Sequence, residues 1–464
     1  MDFKVCPYKQ ALKSQQLGKA SRSEVSEKAE SSVGNKSTVP LDLVTSVVRE
    51  FDENPAAALK ELHKKFGPTF EVETEQGRFR FDTDADTARK ALVLSAGDNA
   101  SFMKSEQQSH GLSRVLGKDN LLLNSGDDWQ SSRSALKDFF SARNLKTDGH
   151  VSSISEVLDR HLSKVEDQLD DQGKADVDLN ALFRKATLDV ALTHLFSTNP
   201  TDQDLDSLTQ AYGVVTERVG KELILPAAVT GLKEPEEEFQ SAVGTIKAWA
   251  KELVSDRLEN PAQKADALSA LMEATDPKTG AAYSQERLES EVLNLMLAGH
   301  ETTANLITWT LTNLARSPIE QNELVSEVQS LFGDRVPTSK ELRKSSGIDK
   351  IWRKEALEHP PNFLLAREAS ADTVLDSDEN TVEVEKGTTL LMSTEHLNEQ
   401  GSTMFSFGMG QRFCLGVTLA TMETELAVTR FLQKFEVSDT GERGRHSGLT
   451  QIPKDTLVSV RKRS

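Results

Sequence analysis

The sequence predicts a mainly α-helical fold that also contains small β-sheets (class α+β). Apolar residues recur three or four positions apart through most of residues 84–316, which is the spacing of a helix face. Alternation of apolar and polar residues is confined to a short segment before residue 84, and further strand candidates lie after residue 380. No Gly/Ser-rich or Pro-rich linker divides the interior, so residues 39–464 are predicted to form a single domain.

A helix and a hairpin open the predicted domain. The helix spans about residues 54–65 and ends before Gly67 and Pro68, because glycine and proline stop helices. Residues 70–74 and 78–81 alternate apolar and polar side chains on either side of a polar turn that contains glycine. This pattern is typical of two antiparallel strands joined by a turn.

Helices dominate the middle of the chain, and short strands enter only near its end. The predicted helices after the hairpin span residues 84–93, 129–140, 151–169, 179–195, 239–258 and 288–316. The later strand candidates span residues 381–384, 388–392 and 457–460. Long helices with a few short strands are the basis for the mainly α assignment.

Charge and composition exclude several classes of function. The formal net charge is −18 and no basic stripe is present, so the field of the protein repels phosphate. Nucleic acid and anionic membrane surfaces are therefore not expected as partners. Residues 1–38 are rich in Lys, Ser and Glu and poor in apolar residues, which predicts a disordered N-terminal tail.

Cysteine usage and hydropathy indicate a soluble, cytoplasmic protein. The two cysteines, Cys6 and Cys414, lie at opposite ends of the chain, so a structural disulfide is not expected. No signal-peptide stretch is present, and no apolar run is long enough to act as a transmembrane anchor.

The strongest chemical signal surrounds Cys414. Residues 407–416 read FGMGQRFCLG, and a helical pattern follows them. A cysteine in a glycine-rich loop at a helix N-terminus lies among free backbone N–H groups, which favour the thiolate over the thiol. Arg412 adds a cation suited to a carboxylate, and Gly410 and Gly416 allow a close approach of the backbone. A buried structural cysteine is the alternative interpretation.

This segment is similar to the cysteine-ligand loop of cytochromes P450 at Phe407, Gly410, Arg412, Cys414 and Gly416. The resemblance implies the fold of that family, with an α-rich lobe and a smaller β-rich lobe. It also implies haem b (iron protoporphyrin IX), with Cys414 as the thiolate ligand of the iron and the other four residues in contact with the cofactor.

A second similarity lies in the helix predicted over residues 288–316, whose middle reads AGHETT. Gly299 in a helix interior costs about 1 kcal/mol relative to alanine, so it needs a reason. In the family this helix crosses the haem opposite the thiolate. The resemblance implies that Ala298 lies beside the haem, and that Gly299 leaves room for dioxygen and opens a local bulge. Glu301 and Thr302 then form an acid–alcohol pair that delivers protons; a satisfied polar patch is the alternative.

Further residues match positions of the family that contact the haem or the substrate. Trp129 and Arg133, at positions i and i+4 of one helix, and Arg367 match residues that bind the haem propionates. The apolar residues expected to line the substrate pocket are Phe363, Leu364, Leu365 and Leu295.

Two departures from the family pattern concern the side of the cysteine. The family carries Glu-x-x-Arg in a helix, whereas this chain has Glu355 and then Glu358, which predicts a like-charge contact. The long meander that precedes the cysteine loop in the family is essentially missing. Breaking a buried ion pair costs about 3–5 kcal/mol, so haem retention depends on compensation, for which Arg353, Lys354 and Arg367 are candidates.

The resemblance implies a monooxygenase that inserts one atom of dioxygen into an apolar organic substrate, such as a fatty acid or a similar lipophilic molecule. No flavin or iron–sulfur signature is present, so electrons are expected from a separate redox partner, an NADPH-dependent reductase or a ferredoxin. Lys137, Arg143 and Lys146 are candidate docking cations. The alternatives are a peroxide-dependent haem-thiolate enzyme and a catalytically impaired or haem-free protein of the same fold.

Overall fold

A computed structural model describes residues 38–51, 54–95, 100–225, 237–261, 265–376, 381–401, 403–439 and 444–463. Most of the predicted N-terminal tail, residues 1–37, therefore lies outside the described residues. Thr38, the last residue of that predicted tail, forms a parallel β-bridge with Glu71.

Helices account for most of the described chain, as predicted. They are α1 Leu41–Glu50, α2 Pro55–Phe66, α3 Ala85–Val93, α4 Glu106–Leu116, α5 Gly126–Leu136, α6 Ala142–Leu145, α7 Asp148–Glu166, α8 Leu179–Phe196, α9 Asp202–Gly220, α10 Glu237–Glu259, α11 Ala267–Met272, α12 Gln285–Arg316, α13 Pro318–Phe332, α14 Ser339–Leu342, α15 Ser346–Glu358, α16 Thr394–Glu399 and α17 Val417–Lys434.

The strands form small sheets at the periphery of the helices. They are β1 Thr69–Thr74, β2 Gly77–Asp82, β3 Phe102–Met103, β4 Lys174–Asp178, β5 Leu364–Ala369, β6 Thr373–Asp376, β7 Thr381–Val384, β8 Thr389–Ser393, β9 Phe435–Ser438, β10 Arg445–Ser447, β11 Gln451–Pro453 and β12 Leu457–Lys462.

The largest sheet has the order β1-β2-β8-β5-β3, and a second has the order β4-β12-β9. β6 pairs with β7 and β10 pairs with β11. The β2–β8 pair is parallel, whereas the other strand pairs described are antiparallel. The mainly α fold class with small sheets is confirmed, and the N-terminal hairpin is present, with β1 and β2 antiparallel. The strands β3, β4, β6, β9, β10 and β11 were not predicted, because two to five residues give too short a pattern to detect.

The 32-residue helix α12 runs through the centre of the helical core. It begins at Ser284, whose side chain accepts a hydrogen bond from the Arg287 backbone N–H, and it ends at Ser317, before the proline that opens α13. Its neighbours include α8, α10, α15 and α17. Because helices surround it, side chains are buried on almost every face, including Val292, Met296 and Leu311.

A short connection replaces the missing meander between β8 and the cysteine loop. It consists of α16 and the few residues that follow. The buried amide of Asn398 donates through Nδ2 to the Leu357 carbonyl oxygen and to Ser406 Oγ, both at 3.0 Å, and its Oδ1 accepts from the Phe405 N–H at 2.8 Å. Ser406 Oγ donates in turn to the Ala356 carbonyl oxygen. One amide thus ties the end of α15 to the segment that leads to Cys414.

No helix among the described residues combines the length and the apolar composition that crossing a lipid bilayer would need.

Replacing Asn398 tests the structural role of its side-chain amide. We expect Asn398→Ala to lower the free energy of unfolding by about 2–4 kcal/mol, because it leaves a buried N–H and a buried carbonyl without partners. Urea unfolding followed by circular dichroism measures the change. Asn322→Ala, at an exposed position of α13, is the matched control, and its effect should stay within about 0.5 kcal/mol. Equal effects of the two substitutions would contradict the assignment.

Candidate functional site

Cys414 lies at the end of a tight loop that leads into α17. The loop contains one 3-10 turn, Gly410–Arg412, and the Cys414 N–H donates to the Phe407 carbonyl oxygen at 2.8 Å. Gly408 adopts a φ of 72°, a value that favours glycine. The position of the Cys414 sulfur therefore depends on the local conformation of ten residues, as the sequence pattern predicted.

The electrostatics of Cys414 differ from the expected direction. Burial raises the pKa of the thiol, whereas the backbone N–H groups of Gly416 and Val417 and the charge of Arg133 lower it. The predicted N–H donors are thus present, but desolvation exceeds their effect. A metal cation at Sγ would supply the missing positive charge and favour the thiolate.

The two glycines that frame the cysteine serve different purposes. Gly410 has a φ of 66°, and a Cβ there would lie 2.8 Å from the Leu92 carbonyl oxygen and 3.0 Å from Val93 Cα. Packing against α3 therefore requires this glycine. A Cβ at Gly416 would meet no atom within 4 Å, so space is open beside the backbone next to Cys414. Only Gly416 fits the expected close approach of a flat group.

One face of α12 is accessible although the rest of its middle is buried. Ala298 is exposed and Thr302 is half-buried, whereas residues 291–297 and 303–312 are buried. Thr302 Oγ1 donates to the Ala298 carbonyl oxygen at 2.9 Å. Leu295 precedes them by three and seven positions and shares their face. An accessible patch in the middle of a core helix is what a bound group opposite the cysteine loop requires.

The neighbouring residues of the motif face α8. A Cβ at Gly299 would lie 3.6 Å from side-chain atoms of Ala191 and Leu195, which is ordinary contact distance. The predicted local bulge is wrong, because α12 continues as a regular α-helix through this glycine. An alanine would therefore fit at this position, and the packing of α8 against α12 does not by itself require the glycine.

Glu301 enters a buried polar cluster that the sequence did not reveal. Its Oε1 lies 3.8 Å from Arg184 Nη2. The ring centroids of Tyr212 and His300 are 4.7 Å apart. Buried atoms without a hydrogen-bond partner in this cluster are Arg184 Nε and Nη2, Tyr212 Oη, His300 Nε2 and Glu301 Oε2. The members come from α8, α9 and α12, so no local sequence pattern could have shown that they meet.

Burial keeps both rings of this cluster neutral. It lowers the pKa of His300 to about 3, with a further decrease from the charge of Arg184. Burial also raises the pKa of Tyr212, and the Glu301 carboxylate raises it further.

Trp129 lies close to two arginines, one of them at the predicted spacing on α5. The guanidinium of Arg412 is 4.7 Å and that of Arg133 is 5.7 Å from the centre of the indole ring. Arg412 Nη2 donates to the Asn124 carbonyl oxygen at 2.7 Å, and Arg133 Nη2 donates to the Phe413 carbonyl oxygen at 2.9 Å. Backbone carbonyls thus fix both cations beside the cysteine loop.

Three cations beside the cysteine loop, Lys104, Arg367 and Arg412, have no acidic partner in the described part of the chain. Burial lowers the pKa of Arg412 to about 9 and that of Arg367 to about 10. It lowers the pKa of Lys104 well below its usual range, and the charges of Arg367 and Arg412 lower it further. Within the described part of the chain, no salt bridge involves Lys104, Arg367 or Arg412. Sequence reasoning missed Lys104, which lies outside any recognisable motif.

These features fit the haem that the resemblance implies. A flat group with two carboxylates needs an open slot, buried cations and a metal ligand. Gly416 and the accessible face of α12 provide open space, and the uncompensated cations of Lys104, Arg367 and Arg412 provide partners for propionates. Cys414 provides the soft sulfur donor that suits iron.

The four predicted pocket residues are brought together only in part. Phe363 and Leu364 are buried in an apolar cluster with α1, α2, β1 and β2, whereas Leu365 belongs to a cluster with α3 and β8. Adjacent residues of a strand point to opposite faces of the sheet, so Leu364 and Leu365 cannot both face one pocket. Leu365 shares its face of β5 with Arg367.

Glu355 is completely buried without an arginine partner. Its Oε2 accepts a hydrogen bond from Asn313 Nδ2 at 2.5 Å and lies 3.7 Å from His359 Nε2, while its Oε1 has no partner. Burial raises the pKa of Glu355 to about 7; Asn313 opposes this shift, and the negative charge of Glu358 adds to it. Asn313 and His359 thus occupy the surroundings in which an arginine was expected.

The proposed substitutes for that arginine contribute little. Arg353 Nε donates to Asp349 at 2.8 Å on the exposed side of α15. Arg367 lies with Lys104 and Arg412 beside the cysteine loop. The charge of Lys354 lowers the pKa of Glu355, but the Lys354 side chain is exposed and forms no salt bridge with Glu355 in the described structure.

Comparison with known proteins agrees with this arrangement. A cytochrome P450 family model matches residues 38–401 and 393–459. "Putative cytochrome P450 132" of Mycobacterium tuberculosis is 26% identical over 379 residues, which cover 72% of this chain and 77% of that protein. The protein "LUTEIN DEFICIENT 5, chloroplastic" of Arabidopsis thaliana is 23% identical, with 81% of this chain and 68% of that protein covered.

A Bacillus cereus protein named "Bifunctional cytochrome P450/NADPH--P450 reductase" is 21% identical over 415 residues, covering 83% of this chain and 38% of that protein. The family match extends over nearly all of the described residues, from the first strand bridge to β12. It includes the accessible face of α12, the cysteine loop and the cations beside it. This chain is a member of the cytochrome P450 family, and so belongs to a family of haem-containing oxidoreductases.

Proposed function

We propose that this protein is a haem-thiolate monooxygenase that inserts one atom of dioxygen into an apolar organic substrate, such as a fatty acid or a similar lipophilic molecule. The observation that carries the proposal is the combination of Cys414 with three cations, Lys104, Arg367 and Arg412, that form no salt bridge within the described part of the chain. Haem b (iron protoporphyrin IX), when bound, supplies the activation of dioxygen, and a thiolate ligand favours cleavage of the O–O bond.

The residues around the cysteine bind and orient the cofactor. Cys414 Sγ is the proposed iron ligand, and the N–H groups of Gly416 and Val417 stabilise the negative charge on sulfur. Arg133 and Arg412, held by backbone carbonyls near Trp129, are the proposed partners of propionate oxygens. Both side chains are half-buried, which makes each charge-assisted hydrogen bond stronger than it would be in water.

Proton delivery is assigned to two adjacent residues of α12. Thr302 Oγ1 lies on the accessible face and can donate a hydrogen bond there once it releases the Ala298 carbonyl oxygen. Glu301 points about 100° away around the helix, into the buried cluster with Arg184. Proton transfer between the two therefore requires rotation of the Glu301 side chain or a bridging water.

The substrate and the electrons are both supplied by other molecules. Leu295 and Phe363 supply apolar surface near the accessible face and β5, which favours a lipophilic substrate. We propose a separate redox partner, an NADPH-dependent reductase or a ferredoxin. The exposed cations Lys137, Arg143 and Lys146 lie at the end of α5 and around α6, a helix that packs against α17.

A second candidate function is that of a haem-free or catalytically impaired member of the family. The observation that favours it is Glu355, which is buried with Oε1 unpartnered where the family pattern has a glutamate–arginine pair. A peroxide-dependent enzyme has less support, because Thr302 and Glu301 are both present.

The carbon-monoxide difference spectrum of the dithionite-reduced protein, prepared with added haem, tests the proposal. We expect a strongly red-shifted Soret band from the wild type and its loss in Cys414→Ala, because only the thiolate produces that band. A wild-type spectrum typical of a neutral ligand, or no haem binding, would reject the monooxygenase and favour the impaired protein.

Thr302→Ala should leave haem binding intact but lower product per NADPH consumed by at least about tenfold, because a proton donor is removed. Peroxide release and product formation from a saturated fatty acid, with a generic reductase, measure the coupling. Thr310→Ala is the matched control, since Thr310 Oγ1 makes the same type of hydrogen bond, to Leu306, at a fully buried position. If Thr302→Ala and Thr310→Ala remain equally coupled, the role of Thr302 is wrong.

Lys104→Met should change haem affinity and stability in opposite directions. Removing a buried cation stabilises the haem-free protein, because Arg367 and Arg412 repel it. The same change should weaken haem binding about tenfold, since one charge-assisted contact is worth about 1.5–3 kcal/mol. Thermal unfolding and haem transfer to apomyoglobin measure the two effects. The exposed Lys118→Met is the control, and parallel changes in both quantities would contradict an anion-binding role for Lys104.

A further inference from the structure

The end of α15 holds a group of three possible metal ligands outside the haem site. One ligand atom from each of Glu355, Glu358 and His359 can be chosen so that all three atoms lie within 4.8 Å of one another. Glu358 is exposed and free to adjust its side chain, whereas Glu355 is completely buried. The site therefore has one fixed carboxylate, one adaptable carboxylate and one imidazole.

The buried carboxylate lacks the partners that its burial demands. Glu355 Oε2 receives one hydrogen bond, from Asn313, and Oε1 receives none. A buried carboxylate with an unpartnered oxygen is destabilising unless a proton or a cation neutralises it. Glu358 and Glu320 add negative charge around it, and Lys354 adds positive charge. An additional cation beside Glu355 would therefore be stabilising.

The histidine is held in a form that can bind a metal. Its ring stacks on the indole of Trp309, with 3.9 Å between the ring centroids, and its Nε2 lies 3.7 Å from Glu355 Oε2. The stacking fixes the ring beside the buried carboxylate. An imidazole nitrogen is a common metal ligand.

We propose that Glu355, Glu358 and His359 bind a divalent transition-metal ion such as Zn²⁺. One imidazole and two carboxylates match the ligands of zinc, whereas Mg²⁺ and Ca²⁺ prefer oxygen ligands alone. Each ligand atom must come within about 2.0–2.2 Å of the ion, which a rotation of the exposed Glu358 allows. The proposal is independent of the haem chemistry.

Bound metal would stabilise the side of the molecule that lacks the family's ion pair. The ion would take the place of the expected arginine charge beside Glu355, and Asn313 would link it to α12. The ligands end α15 next to Leu357, whose carbonyl oxygen accepts the hydrogen bond from Asn398. The metal would thus help to fix the segment that leads to the cysteine loop.

Metal content and stability of the haem-loaded full chain test the proposal. After dialysis against a chelator, the protein is titrated with ZnCl₂ and, separately, MgCl₂, and followed by calorimetry, elemental analysis and thermal unfolding. We expect one zinc per chain with an increase in Tm, and no comparable effect of magnesium. Glu358→Gln and His359→Gln should each weaken zinc binding by at least about tenfold.

Matched controls are Glu399→Gln and His110→Gln, which change exposed residues elsewhere and should leave zinc binding unchanged. Glu358→Arg should also lose zinc binding. Unlike the Tm of the wild type, its Tm should not fall when chelator is added, because the arginine supplies the positive charge beside Glu355. Failure of zinc to bind stoichiometrically, or binding that survives both Glu358→Gln and His359→Gln, would overturn the proposal. Haem spectra recorded on the same samples keep this result separate from the proposed monooxygenase function.

Discussion

Buried positive charge that the protein does not neutralise is the constraint around which the site is organised. Besides burial, the charges of Arg367 and Arg412 lower the pKa of Lys104, and the charge of Arg367 lowers that of Arg412; salt-bridge partners for the three are absent from the described chain. Such an arrangement is unfavourable in isolation, because burial penalises each charge and like charges repel. The haem that the family implies carries two carboxylates, which would offset both effects.

The same logic applies, with opposite sign, at the end of α15. Glu355 is a buried carboxyl group whose pKa is raised to about 7 by burial, and the residue three positions later is another glutamate. Asn313 and Asn398 provide hydrogen bonds where the family pattern has charges and a longer meander. Neutral hydrogen bonds can fix geometry, but they do not neutralise a carboxylate. This difference is why a cation at Glu355, Glu358 and His359 is physically attractive.

Helix α12 separates two tasks by directing its side chains to different faces. Ala298 and Thr302 occupy an accessible face, while Gly299 and Glu301 contact α8. The acid is therefore held away from the accessible face, in a cluster whose rings are neutral. Burial of that cluster limits how water reaches Glu301, so the proposed proton delivery would depend on the orientation of this one side chain.

The sequence by itself determined what depends on residues close together in the chain. The helices and the hairpin follow from periodicity, and the conformation around Cys414 follows from ten residues with glycines at fixed positions. The pairing of Trp129 with Arg133 follows from one turn of helix. The fold class and the identity of the proposed iron ligand were predictable for this reason.

Only the tertiary structure decided which distant residues meet. Lys104 joins Arg367 and Arg412, and Arg184 joins Glu301, across separations of more than one hundred residues that no local pattern encodes. It also showed that packing against α3 requires Gly410, and that Gly299 faces α8 in a helix without a bulge. Spacing specifies which face of its own helix or strand a side chain occupies. The neighbour on that face depends on how the elements pack, and packing is a property of the whole chain.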